Sequence, residues 1–320
     1  MRHALRLIPL LAVLLAVSCR VSPGNDSARI RVAALRGPSA VEMVRLMDSL
    51  RCCPDPGMEV LIFDEPLLLR KEMMEGSVDF AVLPLNMAAL LYNRGVDYRL
   101  AAVPIWGSLY LCGSDTSVRS ISDLRGRTVS LMQRGMTPDV LMRHLLESEG
   151  IDPDRDLTLD YRFPSHIDLA NAAIASRTEL CVLSEPYLSQ VVAANPSLEV
   201  LVDLGAEWRR AEKMPLAETA FLCRGTLADS SDPAVDSLVT ALRRSADWAK
   251  VHPDSAAALS VGFGINPDRR AVEASIPRSG FEVVRAADAE TEIMYYLRVL
   301  LQASPDAVGN RLPDERFIVR

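Results

Sequence analysis

Several polar and charged residues of this chain stand where an apolar strand pattern gives way to a helix start. From such turns, side chains and unpaired backbone N–H groups can reach a small molecule. Asn86 follows Pro84-Leu85, Thr137 precedes Pro138, and Glu185 precedes Pro186. Glu185 has two readings: a carboxylate facing a ligand cation, or an acid placed to favour the positive end of the next helix. Arg36 and Arg134 each precede a glycine and could hold an anion or point to solvent, and Trp106 could cover a ligand or pack a junction. The other turn residues, Leu85, Met87, Met132, Met136 and Tyr187, are apolar, which suits an organic ligand better than a bare inorganic ion. Signals for catalysis are sparse. His3, His144, His166 and His252 form no ligand cluster, no phosphate-binding glycine run or hydrolase nucleophile elbow occurs, and no metal or cofactor is expected.

The elements that would position these residues repeat. Ile30 to Met47 (IRVAALRGPSAVEMVRLM) and Thr128 to Leu145 (TVSLMQRGMTPDVLMRHL) both read as strand, Arg-Gly, a capping residue with Pro nearby, then amphipathic helix. Val78 to Asn86 (VDFAVLPLN) and Thr178 to Pro186 (TELCVLSEP) form a second strand-then-turn pair, 100 residues apart and in the same order. Two such pairs predict a duplicated α/β architecture. Ser39 with Glu42 predicts a capping box in the first copy, and Thr137 with Pro138 opens the helix of the second, which stops at Gly150. Further strands are read at 59–63, 79–83, 98–103, 109–112, 157–163, 179–183, 198–202 and 219–223. Helices are read at 66–75, 87–93, 165–175 and 186–193, then at 233–251, 253–260, 267–275 and 288–303. Strands alternating with helices of this length imply mostly parallel sheets.

The 320 residues, 49% hydrophobic and 24% charged, suit about two domains. A net charge of −7 leaves no basic footprint for nucleic acid, and 5% aromatics offer few stacking platforms. Residues 1–19 read as a targeting segment: Arg2 and Arg6 precede the apolar run Leu7 to Val17, too short to span a bilayer comfortably. Ala16-Val17-Ser18-Cys19 resembles a bacterial lipobox, which makes Cys19 the acylated residue and 20–28 a flexible tether. Cys112, Cys181 and Cys223 lie in strand patterns and read as small core residues, whereas adjacent Cys52 and Cys53 could pair elsewhere.

The lipobox, WGSLYLCGSD, ISDLRGRTV, the Gly-x-Thr-Pro helix start and VLSEPY together resemble the substrate-binding proteins of ABC importers for nitrate, sulfonates and thiamine precursors. The resemblance covers most of Ile30 to Lys250 and is strongest at Ile121 to Leu146. It implies the type II periplasmic-binding-protein fold, two α/β lobes joined by two crossing strands, with 29–105 and 217–320 in lobe 1 and 106–216 in lobe 2. It also implies binding by Gly37, Pro38, Ser39, Leu85, Asn86, Trp106, Gly135, Met136, Thr137 and Glu185. Arg36-Gly37-Pro38-Ser39 departs from the glycine-aromatic turn usual there.

The resemblance implies a monomeric solute-binding protein on the periplasmic face of the envelope, anchored to the membrane through lipid on Cys19. A small organic solute, anionic or rich in acceptors, and an ABC permease and ATPase complex are its implied partners. An enzyme on the same fold, such as a small dehydratase or a pyrimidine-synthesising relative, is the rival; only Glu185, Asp139 and the cysteines would serve it. A ligand-sensing lipoprotein is the third reading. The Cys19→Ser variant is expected to lose lipid labelling and to move to the soluble envelope fraction. Unchanged membrane fractionation of that variant would remove the anchor.

Overall fold

In the computed structural model, residues 29–52, 57–132, 134–229 and 233–320 are described; the lipobox with Cys19, the 20–28 tether and Cys53 lie outside them. The first sheet opens with β1 (Ile30–Leu35), α1 (Pro38–Val41), α2 (Val44–Cys52), β2 (Met58–Phe63), α3 (Pro66–Met74), β3 (Phe80–Pro84), α4 (Leu85–Asn93) and β4 (Tyr98–Ile105). The chain then builds a second sheet from β5 (Leu109–Gly113), β6 (Thr128–Ser130), α5 (Thr137–Ser148), β7 (Thr158–Asp160), α6 (His166–Ile174), β8 (Leu180–Ser184), α7 (Tyr187–Ala194), β9 (Glu199–Asp203) and α8 (Leu204–Glu212). It returns to the first as β10 (Thr219–Arg224), α9 (Gly225–Ala228), α10 (Ala234–Val251), α11 (Pro253–Gly262), α12 (Arg269–Ser275), β11 (Phe281–Arg285) and α13 (Glu290–Ala303).

The two sheets share one plan. The first runs β11-β4-β10-β3-β1-β2 and the second β7-β6-β8-β5-β9. In each, the first strand lies between the second and third as their parallel neighbour, and a strand arriving from the other lobe is inserted next to the third. The inserted strands, β5 and β10, are antiparallel to both of their neighbours. The direction is forced. A chain leaving one sheet at its C-terminal edge enters the other at the facing C-terminal edge and must run back against it. Leu109, the first residue of β5, opposes Ser184, the last of β8, and Thr219 opposes Pro84 in the same way.

Central strands are apolar on both faces because helices cover both. Every residue of β4 and of β5 is buried. The covering helices follow the 3.6-residue period: α10 buries Val235, Leu238, Val239, Leu242, Ala246 and Ala249, with solvent on its other side.

The expected capping box at Ser39 and Glu42 does not form. Gly37 holds the N-cap position at φ 128°, a conformation side chains avoid, and Pro38 begins α1. Glu42 points inward, with 0% exposure and no hydrogen-bond partner for either carboxylate oxygen, while its own carbonyl accepts from the Ser245 hydroxyl at 2.5 Å. Likewise Met136, not Thr137, is the N-cap of α5.

Burial pushes the Glu42 carboxyl well above its ordinary 4.5. The folded state therefore prefers the protonated acid. That preference is fully present below the unfolded value and is lost as pH rises through the folded one. Glu42→Gln removes the ionisation while keeping the volume. Its urea midpoint is expected to match the parent near pH 4 and to exceed it at pH 8. Parallel pH curves for the two proteins would mean that Glu42 is not held neutral.

Candidate functional site

The hinge between the lobes has two strands. Trp106 and Ala217 form an antiparallel bridge, and the Glu218 N–H donates to the Ile105 carbonyl at 3.1 Å. The Glu218 carboxylate then accepts from the Ser108 N–H at 2.5 Å and from the Ser108 hydroxyl at 2.8 Å, joining the outgoing and returning strands. Burial pushes this carboxyl up, and the two Ser108 bonds oppose the shift. Backbone bonds run on from the hinge into both turn systems: Leu85 N–H donates to the Glu218 carbonyl, and Glu185 N–H to the Ser108 carbonyl.

Because the parallel strands of both sheets end at the edges joined by the crossings, their strand-to-helix turns confront each other. Asn86 and Thr137, 4% and 8% exposed, meet there, the Thr137 hydroxyl 3.5 Å from Asn86 Oδ1. Leu85 and Ser39 are buried beside them in the first lobe's turns. Gly135 has φ 79°, and a side chain there would stand 3.1 Å from the Ser304 hydroxyl of the opposite lobe. His166 stacks on Tyr187 with ring centroids 5.1 Å apart and planes 1° from parallel. Burial holds its imidazole down to about 4, so it is neutral at neutral pH. Burial also raises the Tyr187 hydroxyl, opposed by Arg36 from the other lobe.

The charged residues picked out in the sequence are engaged elsewhere. The Arg36 guanidinium bonds the Asp64 carboxylate and the carbonyls of Gly264 and Ile265, all within its own lobe. The Arg134 side chain is 66% exposed and lies 3.3 Å from Asp154. Glu185 takes the helix-start role and adds a partner from the other lobe. It accepts from the Ser189 N–H at 3.1 Å within the α7 start, and from Arg278 Nε of the opposite lobe at 2.6 Å. Asp139 is fully employed as well, accepting from the Gly135 N–H at 2.6 Å, Arg143 at 2.9 Å and Tyr161 at 2.5 Å.

Trp106 packs the junction. Its N–H donates to Gly280 O and its indole Nε1 to Glu282 O, at 2.9 and 2.8 Å. With Tyr110, Asp203, Arg209 and Leu216 it lines a hinge cavity of 180 Å³. The structure thus gathers Leu85, Asn86, Gly135, Thr137 and Glu185 around the interlobe gap. Gly37, Pro38 and Ser39 stand at the neighbouring first turn, Met136 caps α5, and Trp106 stands at the hinge.

Residues with no mark in the sequence hold the lobes together. Arg278, in the turn before β11, also donates to the Ser189 hydroxyl at 2.8 Å and accepts from the Tyr110 hydroxyl at its carbonyl. Gln190 of α7 reaches Asn266 at 3.1 Å. On the other flank, α13 lays Tyr295 and Tyr296 edge-on against Trp208 of α8, and Glu212 accepts from both Tyr295 and His144. The proline flanking Arg278 and the tyrosine pair on an amphipathic helix are ordinary local patterns, so only the three-dimensional fold brings them to the interface.

Paired lobes of one topology, two crossing strands and confronted turns define the type II periplasmic-binding-protein fold. Within it the chain belongs to the family described as NMT1/THI5 like, which its residues 57–256 match. It is 30% identical to a protein described as an ABC transporter from Parabacteroides distasonis, over 91% of this chain and 99% of that one, with a TM-score of 0.79. At 14% identity and a TM-score of 0.71 it shares the fold of the periplasmic aliphatic sulphonate binding protein SsuA from Escherichia coli, over 91% and 92% of the two chains. The periplasmic nitrate-binding protein NrtA from Synechocystis is similar at 15% identity and TM-score 0.62, over 88% and 84%. No curated protein sequence matches the chain.

Arg278 is 35% exposed and Glu185 0%, so removing the guanidinium strands a buried carboxylate. Arg278→Ala is expected to cost about 2 kcal/mol, the loss being discounted for solvent on the arginine side. It should also enlarge the radius of gyration measured by small-angle scattering. A variant as compact and as stable as the parent would show that the pair does not hold the lobes.

Proposed function

We propose that this protein is an extracytoplasmic solute-binding component of an ABC importer, which captures a small, acceptor-rich organic solute between its lobes. The observation that carries this reading is the meeting of Asn86, from the turn after the third strand of one lobe, with Thr137, from the turn after the first strand of the other, where helix starts of the two lobes face each other. A ligand that touches both faces is favoured by the closed arrangement, which shifts the lobes toward it. The closed form is what a permease and its ATPase recognise, and lipid on Cys19 keeps the loaded protein at the membrane. Sulphonate and nitrate binding by two proteins of this fold supports a solute with clustered oxygen acceptors. Arg36 and Arg134 have other partners, so recognition rests on hydroxyl, amide and backbone donors together with the apolar turn residues.

An enzymatic reading has less support. Asp139 and Glu185 are each bonded to backbone N–H and arginine, and Cys112, Cys181 and Cys223 are buried.

The test is to release and identify the bound molecule by native mass spectrometry, then to titrate it by calorimetry. Asn86→Ala and Thr137→Val are each expected to weaken binding about tenfold, or about 1.4 kcal/mol, the scale of a lost hydrogen bond in a closed site. Saturating ligand should reduce the parent's radius of gyration. A molecule recovered chemically altered would favour the enzyme. Undiminished affinity in both variants would place the site elsewhere.

A further inference from the structure

Cys112 lies in β5 and Cys181 in β8, and the antiparallel register sets them directly opposite each other. Their Sγ atoms are 3.3 Å apart, and the residues are 0% and 1% exposed. We propose that Cys112 and Cys181 are a redox pair that closes into a cross-strand disulfide when the chain folds with a disulfide oxidant present.

Three features favour closure. A disulfide needs its sulfurs about 2.05 Å apart, so the gap closes by roughly 1.2 Å, within reach of small side-chain torsions. The register of β5 against β9 slips between Leu111 and Cys112, so the ladder on the far side of Cys112 is already irregular and can absorb the adjustment. Tyr110, Leu169 and Leu183 belong with both cysteines to one buried core cluster, which holds the two thiols against each other.

The chemistry is two successive exchanges. One cysteine thiolate attacks the oxidant's S–S bond, forming a mixed disulfide and expelling the first oxidant thiol. The second cysteine thiolate attacks the sulfur of the first cysteine, forming the Cys112–Cys181 bond and expelling the second oxidant thiol. Two protons pass from the cysteines to the expelled thiolates, and the oxidant, a protein or glutathione disulfide, takes up the two electrons. Both thiols are buried and in contact with each other. The folded reduced protein therefore leaves no room for a mixed disulfide, and the bridge closes during folding, before the lobe is packed.

Position gives the bridge a consequence. β5 is the strand that leaves the hinge, and β8 ends at Ser184, immediately before Glu185. A covalent tie between them fixes the Glu185 turn to the hinge strand, in addition to the ladder bonds.

The test is to refold the reduced, unfolded full chain in a glutathione disulfide and glutathione buffer, trap free thiols by alkylation, and map peptides without reductant. The expected product is one linked pair of peptides carrying Cys112 and Cys181, lighter by two hydrogens and open to alkylation only after reduction. Recovery of both cysteines alkylated from natively refolded protein overturns the proposal, as does linkage of either to Cys52 or Cys53. A second measurement is independent of the map. Parent refolded in reductant should melt roughly 5 °C or more below the bridged parent, and the Cys112→Ala, Cys181→Ala double variant should melt alike from both buffers. Equal melting of the two parent preparations also overturns it.

Discussion

The chain crosses between its two sheets twice, and both crossings leave and enter at the strand edges that face the gap. That constraint sets the antiparallel direction of β5 and β10, the bridge of Trp106 to Ala217, and the confrontation of the strand-to-helix turns. It also makes the hinge a poor place for an unbonded polar group. Glu218 is half-buried there, and its carboxylate is tolerable because the Ser108 N–H and hydroxyl both donate to it. The same residue passes its carbonyl to the Leu85 N–H, so one side chain and its backbone connect the two crossings to a turn of the candidate site.

The helix starts that face the gap are quieter electrostatically than isolated helices would be. Asp139 takes the Gly135 N–H at α5, and Glu185 takes the Ser189 N–H at α7, so each start carries its own carboxylate. Both acids are in turn met by arginine, Arg143 in one case and Arg278 in the other. These two starts of the second lobe therefore present less bare positive charge than uncapped helix ends would. The neutral His166 ring stacked on Tyr187 continues that character along the second lobe.

The duplication was legible because both copies must satisfy the same local physics: an apolar strand buried on two faces, a glycine at positive φ, then a helix start with proline. Residues 30–47 and 128–145 show it in the same order, and the structure sets them as equivalent units of two sheets. What depends on one local segment was mostly read; what depends on two distant ones was not. The Ser39 and Glu42 spacing mimicked a capping box, but the core beneath took the glutamate side chain and α1 began two residues earlier, at Pro38 after Gly37. The reversed direction of β5 and β10 has no trace in composition, since a strand looks alike in either sense. Arg278 and Glu218 became important only through partners 93 and 110 residues away. Of the expected site residues, Asn86 and Thr137 meet between the lobes, while Trp106, expected to cover a ligand or pack a junction, is tied by two hydrogen bonds to the 280–282 segment.

The three tryptophans stand in three different mechanical settings. Trp106 is pinned in the hinge and Trp248 lies half-buried on α10, its ring tilted against His252 within one lobe. Trp208 belongs to the second lobe, yet two of its ring neighbours, Tyr295 and Tyr296, are carried by a helix that follows the last strand of the first. Any opening of the lobes therefore changes the surroundings of the fully buried Trp208 indole, while Trp248 keeps its neighbours within one lobe. The native indoles thus give the molecule an optical gauge of lobe separation that needs no added label.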